Sequence, residues 1–185
     1  MLQSLFENDL AGIGFPYIDQ RVQNEENKTQ EVVTDYLGPS LAEMLKEKPD
    51  MLNQASILNI GIQLVNRIES LHKLGFYHGN LNPSSIFFKG KDGVFIGNFH
   101  FSGKVNNNNF YEFCKPPKKQ MDFQTEAQTK ASFYPDVVFA SDQSLKSDQY
   151  FAHDDVTSII LIVVFLLKGN NLPWSEISTK YGYQF

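Results

Sequence analysis

His78-Gly79-Asn80-Leu81-Asn82-Pro83-Ser84-Ser85-Ile86 is the stretch that decides the fold. Its apolar and turn-forming positions are His78, Leu81, Pro83 and Ile86. Small, neutral, polar side chains fill the places between them: Asn80, Asn82, Ser84 and Ser85. Pro83 fixes one backbone angle and cannot donate a hydrogen bond, so the stretch reads as a shaped loop and not as a helix or strand.

The flanking residues say what this loop joins. Upstream, Ile57, Gly61, Leu64, Ile68 and Leu71 recur at alternating spacings of four and three, one face of a helix over Ser56 to Leu74. Gly75 supplies its C-terminal stop. Downstream, Ile86 to Phe88 and Val94 to Ile96 predict two short strands around a Lys91-Asp92-Gly93 hairpin turn.

Further out, Met1 to Asp9 is a short amphipathic segment carrying Leu2, Leu5 and Phe6, and it leads into a Gly12/Gly14/Pro16 turn. Tyr17 to Val22 and Glu31 to Asp35 predict two strands around a polar hairpin, Gln23 to Gln30. Ser40 and Glu43 make a capping box for a helix to Glu47. Asn106 to Asn109 and Lys115 to Lys119 belong to a long polar surface stretch. Asp155 to Lys168 predicts a helix that is apolar nearly all round and therefore buried.

With 185 residues the chain is one domain with room for a core. A net charge of −5 and a pI near 5.3 argue against a nucleic-acid binder. The single Cys114 rules out an internal disulfide and fits a reducing compartment. Met1 to Leu10 lacks the basic and apolar regions of a secretory signal. The most apolar run, Ile159 to Leu167, is far short of the roughly 20 residues that cross a bilayer. The expected setting is therefore intracellular and cytoplasmic, without membrane or nucleic acid.

Several stretches together resemble the protein kinases, and within them the casein kinase 1 group. His78 to Ile86 has the outline of the catalytic loop H-R-D-L-K-P-x-N-I. Gly12-Ile13-Gly14-Phe15-Pro16 resembles G-V-G-I-P, and Tyr36-Leu37-Gly38-Pro39-Ser40-Leu41 resembles L-L-G-P-S-L. Arg67-Ile68-Glu69-Ser70-Leu71-His72 is similar to R-I-E-Y-I-H. Asp154-Asp155-Val156-Thr157-Ser158-Ile159 and Leu172-Pro173-Trp174 are similar to D-D-L-E-S-L and L-P-W. Phe139-Ala140-Ser141 stands where that group has Y-A-S.

The resemblance implies an α+β fold, a mostly helical kinase large lobe with a small-lobe remnant of short antiparallel strands. Residues 1–185 would form one truncated domain, with 1–36 the remnant and 37–185 a partial large lobe. Asp155 would anchor the loop backbone, and His78 would be the loop's structural histidine. Trp174 would fill a core or lobe-surface pocket.

Against that pattern, four chemical positions differ. The catalytic aspartate falls on Asn80, the phosphate-contacting lysine on Asn82 and the metal-binding asparagine on Ser85. The magnesium motif D-F-G falls on Asn98-Phe99-His100. An amide is not a useful base, and magnesium favours carboxylate oxygens. No glycine-rich loop precedes Gly12, no V-A-I-K strand is found, and the helix glutamate that would pair the lysine of that strand falls on Leu2. The expectation is no enzyme, no metal and no cofactor, but a degenerate pseudokinase. It would serve as a structural or interaction subunit of an intracellular assembly, cytoskeletal or ciliary among the settings considered. Its strand edges near Tyr17 to Val22 and Glu31 to Asp35 would pair with a protein partner. The alternatives are a regulatory nucleotide-binding pseudokinase, favoured by the retained hinge Thr34 to Leu37, and a fragment of an active serine/threonine kinase.

Overall fold

A computed structural model describes residues 13–24, 29–90, 93–105, 136–146 and 150–175. Several expectations lie outside the described residues: the Met1 to Asp9 segment with Leu2, Gly12, the hairpin tip 25–28, Lys91, Asp92, the Asn106 to Asn109 and Lys115 to Lys119 runs, and Cys114.

Strand β1 (Ile18–Asn24) pairs antiparallel with β2 (Thr29–Thr34), from Ile18 opposite Thr34 to Asn24 opposite Thr29. The chain then turns through Gly38 and Pro39 into α1 (Leu41–Glu47). The predicted capping box is present: the Ser40 hydroxyl accepts the Glu43 N–H at 3.2 Å, and the Glu43 carboxylate accepts the Ser40 N–H at 2.7 Å. The Ser40 N–H, then its hydroxyl, hold the Glu43 carboxyl below its usual range.

Helix α2 (Gln54–Lys73) starts two residues before the predicted position, because Asn53 caps it by accepting the Ser56 N–H at 2.8 Å. Ile57, Gly61, Leu64, Ile68 and Leu71 are buried along it, joined by Ile60. At Gly61 helix α2 comes close to α4 (Ala152–Leu167), where a Cβ would lie 2.9 Å from Val163 Cγ2. A larger residue would push the two helices apart.

β3 (Phe76–Tyr77) leads into the central loop, whose Pro83–Ser85 forms one 3₁₀ turn. β4 (Ile86–Phe88) and β5 (Val94–Ile96) follow at the predicted positions, in register Ile86 opposite Ile96. This hairpin is gripped on both sides: the Phe88 N–H donates to Pro39 O at 3.1 Å and the Ile96 N–H to Gly14 O at 2.9 Å. A second 3₁₀ turn, Phe99–Phe101, precedes β6 (Gly103–Lys104), which pairs with β3. α3 (Asp142–Lys146) and α4 complete the described elements. The architecture is α+β: helices α2 and α4 over one core, with two-stranded antiparallel pairs along the chain.

One expectation about α4 needs correction. It is not buried all round: Val156, Ile160, Val164 and Leu167 are 40, 58, 37 and 45% exposed, while Ile159, Ile162 and Leu166 are buried. An all-apolar helix has no polar face to mark its exposed side, so sequence gives no phase for its burial. On α2, Leu58, Ile62 and Val65 are likewise exposed. Among the described residues no helix is long and apolar enough to cross a membrane.

Candidate functional site

The site is assembled where α2 ends and α4 begins. Asp155, buried in the first turn of α4, spends its carboxylate on four groups. One oxygen accepts the His78 N–H at 2.8 Å and His72 Nε2 at 2.9 Å. The other accepts the Gly79 N–H at 3.0 Å and the Tyr150 hydroxyl at 2.9 Å. Burial, reinforced by the neighbouring Asp155, raises the Tyr150 phenol well above its usual range, so its O–H stays a donor. Asp154 caps α4 by accepting the Phe151 N–H at 2.7 Å, and it also accepts the Ser141 hydroxyl.

Gly79 cannot be replaced cheaply. Its φ is +87°, and a Cβ there would lie 2.3 Å from Phe101 O. This backbone twist lets two successive N–H groups, those of His78 and Gly79, reach one carboxylate.

His78 is fully buried, and its ring bridges two parts of the site. Nε2 lies 2.8 Å from the Gly97 carbonyl, which can only accept, so Nε2 carries the proton. Nδ1 accepts the Asn80 N–H at 3.3 Å and is therefore bare. The bond to Nδ1 requires the neutral ring, whereas Nε2 donates to Gly97 O in either protonation state. Burial lowers the pKa of His78, which outweighs the opposing pull of Asp155 and of the Gly97 bond.

Asn80, Asn82, Ser85 and Asn98 all come together in this network. Asn80 Oδ1 accepts the Asp136 N–H at 2.9 Å and Asn82 Nδ2 at 3.3 Å. Asn82 Oδ1 accepts the Ser84 N–H at 2.8 Å and so caps the 3₁₀ turn. The Ser85 hydroxyl is buried, accepting the Asn82 N–H at 3.0 Å and donating to Asn82 O at 2.9 Å. Asn98, left-handed at φ +61°, donates from Nδ2 to Ser84 O at 2.9 Å. Asparagine tolerates that backbone region better than most residues.

These partners bear on magnesium, which the resemblance implies. Ser85 has committed its hydroxyl within the loop, and Asn98 has one neutral oxygen left. A hard dication prefers carboxylate oxygens, so the residues present do not fit the metal. Among the described residues no three His, Cys, Asp or Glu side chains gather as a metal site.

Sequence reasoning missed Asp136, His72, Tyr150 and Ser141 as members of the site. His72 stood inside a quoted motif without a role. Asp136 joins Asn80 across 56 residues of chain, a separation that local pattern does not span. Burial raises the pKa of the Asp136 carboxyl, against the bond it accepts from the Val138 N–H at 3.0 Å. Trp174 is 38% exposed and donates from Nε1 to Val138 O at 2.9 Å, which seats it against the segment after Asp136.

No family model matches the chain. It is 26% identical over 158 residues to the serine/threonine-protein kinase ICK of Rattus norvegicus, covering 84% of this chain and 22% of that protein. The Mus musculus kinase of that name gives the same figures, 26% over 158 residues. The chain thus spans 22% of the length of these curated relatives. Among solved structures, vaccinia related kinase 3 superposes with a TM-score of 0.69 at 21% identity, over 95% of this chain and 50% of that one. The expectation that the chain is no enzyme is corrected by these relatives, which are named serine/threonine kinases. Four neutral side chains describe four positions, not the activity of a protein. From the loop geometry and these likenesses together, the chain has a protein kinase-like fold.

Proposed function

We propose that this chain works as a protein-interaction domain of kinase-like fold, of the casein kinase 1 type, within a larger intracellular assembly. The observation that carries the reading is the β1–β2 ribbon. Among the described residues it pairs with no further strand. It leaves Val32 and Val33 45 and 44% exposed, with Tyr17 at 47% and Tyr36 at 80% beside them. A two-stranded ribbon is marginal by itself, and an open, apolar strand edge is a template for an added strand.

Hydrogen exchange at Val32 to Thr34 tests this, measured on the protein in its native complex and again after purification. Slower exchange in the complex, lost in a Val33→Lys variant along with the association, is the expected result. Equal exchange in both states would overturn the reading.

A second reading, regulatory nucleotide binding, is favoured by the kinase relatives and by the hinge stretch Thr34 to Leu37, in which Leu37 is buried. A thermal shift with ATP separates the two readings.

A further inference from the structure

Helices α2 and α4 run antiparallel: the end of α2 meets the start of α4 through His72 and Asp155, and Gly61 meets Val163 in mid-helix. On α2 each exposed apolar residue comes one place after a buried one: Leu58 after Ile57, Ile62 after Gly61, Val65 after Leu64. α4 repeats the pattern, with Val156 after Asp155, Ile160 after Ile159 and Leu167 after Leu166. One residue is a rotation of about 100° around a helix. His72 and Val163, which touch the opposite helix, also stand one place after the buried Leu71 and Ile162, so in both helices this rotation is toward the partner. Equal rotations toward each other in an antiparallel pair bring both exposed rows to one seam, on the side away from the core.

From Leu58 to Val65, and from Val156 to Leu167, neither helix carries a charged residue. Glu69 comes next along the α2 row, and it pairs with Lys73 at 2.8 Å. With Val164, the side chains of the two rows are 37–62% exposed, which leaves roughly 600 Å² of apolar surface open to water. That is the upper end for the largest patch on a monomer, and patches of this size mark contacts. Two such patches laid together bury about 1,200 Å², the lower end of the range for specific interfaces. We propose that the seam is a dimer interface, in which a second copy of this chain lays the same two rows against it about a two-fold axis.

A second copy suits this face in charge and in area. A two-fold interface needs a surface that complements itself, and two uncharged apolar rows do so with no charge to mismatch. A charged partner would give up water here and gain no counter-charge from either row. An area at the lower end of the range predicts a dimer that forms reversibly at micromolar concentrations. The seam lies on the helices and not on the β1–β2 ribbon, so this inference and the proposed function survive each other's failure.

Analytical ultracentrifugation of the full 185-residue chain, from low micromolar to submillimolar concentration, is the test. The expected result is a reversible monomer–dimer equilibrium that stops at the dimer, because a two-fold contact closes on itself. Ile62→Glu and Ile160→Glu place a charge in each row at exposed positions. Each should weaken the dimer at least about tenfold while circular dichroism and the urea midpoint keep their wild-type values. Ile160→Ser adds no charge; it should also weaken the dimer, and it serves if a glutamate variant fails to fold. Val33→Lys, on the ribbon, should leave the dimer intact. A wild-type chain that stays monomeric over the whole range would overturn the proposal. So would a dimer that these row variants leave unchanged, one that Val33→Lys abolishes, or assembly past the dimer.

Discussion

Asp155→Asn should be the most damaging isosteric change in the described structure. The carboxylate accepts four hydrogen bonds, two on each oxygen. An amide of the same shape can accept on one side only. The cheaper placement turns its NH₂ toward Gly79 and Tyr150, because the Tyr150 hydroxyl can rotate to accept. That leaves the buried Gly79 N–H orphaned, at about 2 kcal/mol. The bonds from His78 and His72 survive but go from charged to neutral, at about 1 kcal/mol each. The total is about 4 kcal/mol, out of roughly 5–15 for a typical domain. Urea denaturation followed by far-ultraviolet circular dichroism should show the midpoint falling by about 2 M. Melting should drop by roughly 10 °C. Asp142→Asn, which alters an exposed side chain paired with Lys146, is the control and should change little. A loss under about 1 kcal/mol for Asp155→Asn would refute the view that this carboxylate holds the loop.

Because burial lowers the pKa of His78, the unfolded chain takes up the proton first as pH falls. Stability should hold above about pH 6.5, then decline by up to about 1.4 kcal/mol per pH unit until the folded ring itself protonates. Urea midpoints from pH 7.5 to 5 should show this slope, reduced in His78→Gln. Gly79→Ala, with a Cβ 2.3 Å from Phe101 O and a φ of +87°, should unfold at clearly lower urea than wild type. Ser40→Ala removes the cap of α1 and should cost about 1 kcal/mol by the same assay. If the nucleotide reading holds, ATP at 100 times its Kd should add about 2.7 kcal/mol, and millimolar ATP without a melting shift would dismiss it.

Strong local signals were legible in the sequence. Ser40 and Glu43 announced α1, the spacing from Ile57 to Leu71 announced α2, and the Lys91-Asp92-Gly93 turn signal between two short apolar runs gave β4 and β5 at their observed positions. The two-residue ladder of β3 with β6 is too short to show a period. α3 is a five-residue helix begun by Ser141, whose hydroxyl accepts the Ser144 N–H at 3.0 Å, and it has no buried stripe to reveal it. At the site, the positions inside the loop could be read because they are contiguous. The direction of each amide could not, since it depends on Asp136 and Ser84 meeting them in space.

The bonds from Asp155 to His72, His78 and Gly79 join residues 83, 77 and 76 positions apart. This separation has a consequence for synthesis. The loop emerges first, and the group that fixes it is added later. At about 5–20 residues per second, the ribosome needs roughly 4–16 s to supply that carboxylate. During that interval α2 and the loop have no α4 to pack against, and the buried face of α2, from Ile57 to Leu71, stays open to chaperones. The polar turn at the heart of this fold therefore takes its final shape only once α4 has been made.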